Sequence, residues 1–162
     1  YAGGLTIPRE INLYGAEEGG RTVFTGPVRM VPPDTGISWI YDIDFVGSGN
    51  GVGFSASARA FLQRCRISGW RTGVLVQDTW VSAFDCTFED NETGLHFNHD
   101  SGTPMDSRYM GDVFRNNGTA VLLERVPNRM ALSFPDTVFS GNGTDIDNRC
   151  GQELDLSEAV FE

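Results

Sequence analysis

Five apolar residues recur down this chain at a spacing too regular for an ordinary globular domain. Phe45, Ile67, Phe88, Phe114 and Phe139 stand 22, 21, 26 and 25 residues apart. Five positions before each lies Ile40, Leu62, Ala83, Tyr109 or Phe134. Seven positions after each lies Val52, Val74, Leu95, Val121 or Ile146. Self-similarity at this period marks a solenoid, in which each repeat forms one coil and buries its apolar face against its neighbours. Inside a repeat the apolar positions alternate, as in Cys65 and Ile67, Val74 and Val76, or Leu95 and Phe97. Period two means strands with one buried face, and no segment sustains the i, i+3, i+4 pattern of a helix. The expected class is all-β.

The turn inside each repeat has its own grammar. Three residues after the anchor come Ser48, Trp70, Asn91, Asn117 and Asn142. Two further on come Asn50, Thr72, Thr93, Thr119 and Thr144. Asn tolerates left-handed backbone and bonds locally through its amide, and stacked Asn side groups can bond to one another. Asn91, Asn117 and Asn142 also sit in Asn-x-Thr glycosylation sequons. The repeat accounts for them more simply, as two columns of one turn.

The period, the Asn turn and the inward apolar columns over residues 37–150 resemble the right-handed parallel β-helix of the pectate-lyase-like superfamily. The resemblance implies a single-stranded β-helix of about six coils, each 21–26 residues long. It also implies a secreted or cell-surface protein whose ligand is a polysaccharide. The superfamily's enzyme motifs are not reproduced. Trp39-Ile40-Tyr41-Asp42 has the outline of the lyases' Trp-Ile-Asp-His segment, with Tyr and Asp where Asp and His belong. Arg125-Val126-Pro127-Asn128-Arg129 is one residue short of their Arg-x-Pro-x-x-Arg. The Asp-Asp pair and Gly-His-Gly of polygalacturonases are absent.

Leu5, Ile7, Ile11 and Leu13 read as strand residues of an earlier coil, and Phe24, Val28 and Met30 as those of another. Leu156, Ala159 and Phe161 begin a further coil. Residues 1–162 are therefore expected to form one β-helix domain, cut within coils from a longer protein. A net charge of −10 argues against nucleic acid, whose phosphates need clustered cations. No run of 18 apolar residues offers a membrane-spanning helix. Cys65 and Cys86 share an inward position in successive coils and read as buried thiols. Cys150 has no sequence partner.

Two outward faces are candidates for chemistry. On one, Asp42, Arg64 and Asp85 form a column with Asp44 and Arg66 beside it. A salt-bridge ladder is the ordinary reading. If the domain is part of a polysaccharide lyase or glycoside hydrolase, Asp42 and Asp85 would stand about 9.6 Å apart, two strand spacings, near the separation of an inverting carboxylate pair. Arg64 between them would depress both pKa values. The second face gathers Gln77, Asp78, His96, Asn98, His99 and Glu124 beside the long Asn98–Arg108 insertion. Trp70 and Trp80 are the aromatic residues expected to stack on sugar rings there. No metal site is expected, and no cofactor, although Ca²⁺ could bridge an acidic ligand. The leading expectation is binding of a polysaccharide or another surface partner. The alternatives are an enzyme or a structural stalk.

Overall fold

The computed structural model describes residues 1–8, 10–16, 19–31, 36–77, 80–100, 106–127 and 130–162. Three parallel sheets of seven strands each make a β-solenoid of about six turns. Each coil lays one strand in each sheet in order; Thr72–Val76, Val81–Phe84 and Thr87–Glu89 form one such coil. The described residues contain no helix.

The anchor column runs through the third sheet from Phe24 to Phe161 in unbroken register. Its rings stack like plates, with Phe88 and Phe114 centroids 4.4 Å apart and Phe114 and Phe139 5.2 Å apart. Ile40, Leu62, Ala83, Tyr109 and Phe134 form the matching inward column of the second sheet, all fully buried. In the first sheet Val74, Leu95, Val121 and Ile146 align as the sequence predicts. Val52 does not. Phe54 takes that place opposite Val74, and Val52 pairs with Thr72. The turn before Val52 is two residues longer than in the next coil. A shift of two keeps the same side groups facing inward, so the sequence pattern hid it.

Two corners of each coil turn through a single left-handed residue. Between the second and third sheets these are Asp42, Arg64, Asp85, Gly111 and Asp136; between the third and first they are Gly69, Asp90, Asn116 and Gly141. Asp, Asn and Gly tolerate this backbone region best. The Asp42–Arg64–Asp85 column therefore marks a corner, not the face of a strand. It is set by the turn of the backbone from one sheet to the next.

The residue after each third-to-first corner has a backbone N–H that points away from any sheet. The next coil satisfies it. Trp70 N–H donates to Asn91 Oδ1 at 2.9 Å, Asn91 N–H to Asn117 Oδ1 at 3.1 Å, and Asn117 N–H to Asn142 Oδ1 at 2.9 Å. Each Asn Nδ2 donates to the anchor carbonyl of the preceding coil: Asn91 to Ile67, Asn117 to Phe88, Asn142 to Phe114. The sequon amides are thus bonded inward, and a sugar on Asn117 would break the ladder.

Trp70 completes the series in a different chemistry. Its indole Nε1 donates to the Phe45 carbonyl at 3.0 Å, the bond an Asn amide makes in the other coils. A Cβ on Gly47 would lie 2.5 Å from the indole, and one on Gly53 2.8 Å. Those two glycines make the space that lets a tryptophan stand in for asparagine.

A second, shorter ladder follows the other corner. Cys65 N–H donates to Cys86 Sγ at 3.4 Å, and Cys86 N–H to Asp112 Oδ1 at 2.7 Å. Cys65 and Cys86 are buried free thiols, as expected, and Cys150 is exposed.

Replacing Phe88 by alanine removes the middle of the ring stack and should cost about 3–5 kcal/mol. Urea denaturation of Phe88→Ala against the parent protein measures it; a loss under about 1 kcal/mol contradicts the packing described.

Candidate functional site on the outer face of the second sheet

The polar flank expected from the sequence is only partly assembled. His96 points outward from the first sheet, its Nε2 2.9 Å from Glu124 Oε2. Asn98 Oδ1 accepts from Arg125 Nε at 2.9 Å, and Arg125 stands 3.8 Å from Asp100. A register shift beside Phe97 and Asn98 pairs Asn98 with Arg125 and leaves Glu124 free to approach His96. Gln77 is exposed one coil earlier, its backbone N–H bonded to Ala56. His99 turns inward, 4% exposed, with its ring against Phe97. Strict alternation from Phe97 would have placed it inside. Asp78, Arg129 and residues 101–105 of the insertion lie outside the described residues.

The two tryptophans assigned to sugar stacking are corrected by the structure. Trp70 is 5% exposed and Trp80 3%. Trp70 is held in the Asn ladder, and Trp80 packs edge-on against Phe61 at 5.0 Å. Neither offers a free ring face.

The Asp42–Arg64–Asp85 column is a structural charge cluster. Arg64 grips Asp42 with two bonds, 2.8 and 2.7 Å long. Those bonds hold the Asp42 carboxyl below its usual range, against the opposing effect of burial. An ionised, doubly bonded carboxylate is a poor general acid. Asp85 makes no ion pair among the described residues. Asp44 pairs with Arg21 at 2.6 Å rather than with Arg66. Arg66 instead joins Arg115 on the buried Glu89. Burial pushes the Glu89 carboxyl up, and the Arg115 and Arg66 bonds outweigh it and hold it low.

The aromatic surface lies elsewhere. Outward positions of the second sheet carry Tyr14, Tyr41, Trp39, Phe61 and Phe84, joined across coils. Tyr14 stacks on Tyr41 at 4.9 Å, Trp39 on Phe61 at 4.2 Å and Phe61 on Phe84 at 5.5 Å. Their planes are nearly parallel, so each ring covers its neighbour and the ribbon shows mostly edges to solvent. Tyr14, 68% exposed, ends the ribbon. The signal for these rings was in the sequence: each flanks an inward residue by one position, as Trp39 and Tyr41 flank Ile40.

The same face then hollows into a groove of about 1180 Å³. One outward column forms its floor: Phe61, Ser82, Arg108, Ser133 and Asp155. Five consecutive coils supply these residues, so the floor runs about 19 Å along the solenoid axis, four strand spacings. Asp100, Asp106, Arg125, Gln152 and Glu158 also line the groove. Cys150 also borders it. No family model, curated protein or solved structure matches this sequence. The groove must therefore be read from its own chemistry.

That chemistry is mixed. Phe61, Phe84, Val126, Met130, Pro135 and Leu154 are apolar, and the floor column beyond Phe61 is hydroxyl, guanidinium and carboxylate. The lining carries five carboxylates, on Asp100, Asp106, Glu153, Asp155 and Glu158, against two guanidiniums. Ser157 donates to Asp155 through its hydroxyl at 2.7 Å and its backbone at 3.1 Å, lowering that carboxyl's pKa. The described residues hold no cluster of three or more metal-ligating groups.

One further carboxyl stands apart. Asp112 is fully buried beneath the groove's coils, and its Oδ2 has no hydrogen-bond partner among the described residues. Burial pushes its pKa well up, against the lowering effect of the Cys86 N–H. Full burial walls it off from solvent, so it serves the core, not a ligand.

Asp112 and Glu89 give opposite pH signatures. When folded, the protein keeps the Asp112 proton; when unfolded, it releases it. That contribution is whole below about pH 4 and is lost as pH rises toward the folded pKa. Asp112→Asn should therefore gain stability relative to the parent as pH climbs above about 4. Glu89 contributes above about pH 4.5, and its contribution is lost as pH falls through its lowered folded pKa. Glu89→Gln should cost about 1–2 kcal/mol near neutrality, since both arginines remain half-solvated. In acid it should converge on the parent. Urea midpoints across this pH range measure both; parallel curves would refute the assignment.

Proposed function

We propose that this protein is a carbohydrate-binding β-helix of the right-handed, pectate-lyase-like kind, secreted or displayed at a cell surface. It holds a glycan along the second-sheet groove. One observation carries the reading: a floor built from a single in-register column across five coils, apolar at Phe61, with a buried Ser82 whose hydroxyl accepts the Arg108 N–H, and hydrogen-bonding from Arg108 to Asp155. A linear oligosaccharide has the matching form, a repeating strip of hydroxyls over apolar ring faces. At about 1180 Å³ the groove exceeds the usual small-molecule pocket of about 300–1,000 Å³.

Charge selects among glycans. The excess of carboxylates repels polyuronates, and neutral glycans meet no such barrier. Arg108 and Ser133 face each other across adjacent strands and offer donors to sugar hydroxyls. Ser157 holds the Asp155 carboxyl low, the wrong direction for a proton donor. The carboxyl that burial pushes up, Asp112, has no path to the groove.

Cys150 makes the test direct. It is the exposed thiol of the three and borders the groove. A panel of neutral oligosaccharides should contain one that binds the protein and slows labelling of Cys150. Phe84→Ala and Arg108→Ala should each weaken that binding about tenfold, or about 1.4 kcal/mol. His96→Ala should leave it unchanged. Binding that ignores both groove variants, or none across the panel, refutes the reading.

A further inference from the structure

Three Asn-Gly dipeptides occur in the sequence: Asn50-Gly51, Asn117-Gly118 and Asn142-Gly143. Asn-Gly is the pair most open to spontaneous deamidation, because glycine leaves its own nitrogen unshielded for attack on the neighbouring amide. The fold treats the three differently.

At Asn117 and Asn142 both reacting groups are occupied. Asn117 Nδ2 donates to the Phe88 carbonyl at 2.9 Å, and its Oδ1 accepts the Asn91 N–H. Asn142 Nδ2 donates to Phe114, and its Oδ1 accepts the Asn117 N–H. The attacking nitrogens are also bound: Gly118 N–H donates to Asn91 and Gly143 N–H to Asn117, each at 2.9 Å. Attack at either site needs these bonds opened, and Asn117 is buried as well.

Asn50 lies in the lengthened turn before Val52 and belongs to no ladder. It is exposed, and neither its amide nor the Gly51 N–H has a hydrogen-bond partner among the described residues. Gly49 and Gly51 both take positive φ, 89° and 71°, with nothing within 4 Å of where a Cβ would stand. The Gly51 carbonyl is tied, accepting from Thr72 at 3.0 Å.

We propose that Asn50 is a site of spontaneous deamidation, and that the Asn ladder protects the two chemically equivalent dipeptides. The Gly51 nitrogen attacks Asn50 Cγ and forms a new C–N bond. The amide C–N bond of the Asn50 side group breaks and its nitrogen leaves as ammonia, taking up the proton lost from the backbone. Water then opens the resulting succinimide at either carbonyl, giving aspartate or isoaspartate. Water is the only co-reactant. The product adds a negative charge to an already acidic protein at an exposed turn.

The test is to incubate the folded protein in warm, mildly alkaline buffer and follow each Asn-Gly peptide by mass spectrometry. A parallel sample is held in denaturant. In the folded protein the mass gain should appear on the Asn50 peptide, with Asn117 and Asn142 slower by about a hundredfold or more, since they wait on local opening. In denaturant all three should react at similar rates. Asn50→Gln should remove the folded-state signal. Equal rates at the three sites in the folded protein overturn the proposal. So does an Asn50 that stays intact when folded, whatever happens in denaturant.

Discussion

A left-handed corner leaves the next backbone N–H without a partner in its sheet, and only at Thr137, which reaches the Phe134 carbonyl, does the same coil supply an acceptor among the ladder corners described. An unmet buried N–H costs about 1–3 kcal/mol, and every coil contributes such corners. The solution is the same at both corners: a residue from the following coil reaches back. Asn does it at one corner, while Cys86 and Asp112 do it at the other. The donor problem thereby becomes the glue between coils. It explains why Asp112, a carboxyl with an unpaired oxygen, is tolerated in a core of Phe and Tyr rings. Its other oxygen holds a donor that would otherwise be orphaned.

The outer surface answers to the same stacking. In-register columns put like residues one above another, so ionic groups line up as alternating charges and aromatic groups as ring piles. Every Lys or Arg position of the sequence is arginine. Its planar fork suits a position between strands, where Glu89 takes one guanidinium from each side. Piled rings use up their own faces. The ribbon from Tyr14 to Phe84 therefore stiffens the second sheet more than it recruits ligands, and recognition shifts to where the pile ends and the face becomes concave.

The repeat made the fold legible. Period and alternation placed the anchor column, the Asn turn and the paired cysteines correctly, because all three follow from stacking. What remained hidden had physical reasons. A two-residue lengthening before Val52 preserved inward–outward parity and left no trace in the alternation. Trp70 looked exposed because its column is otherwise polar; only the packing shows an indole N–H making an amide's bond above Gly47 and Gly53. Of the candidate site, His96, Asn98 and Gln77 do lie on one flank, but the groove is made by walls from non-repeating segments, which no period can foresee. The outward rings of the second sheet flank the inward column by one position, so period two marks them in the sequence even though the repeat's apolar columns point the other way.

The ladders also have a direction. The side-group acceptors that serve the corner N–H groups belong to the later coil, and those donors to the earlier one. A ribosome delivers the coils in the same order. A coil leaving the exit tunnel is therefore incomplete until its successor emerges, 21 to 26 residues later. The growing end is at each moment one coil short of finished, and the debt moves along the chain at the period of the repeat.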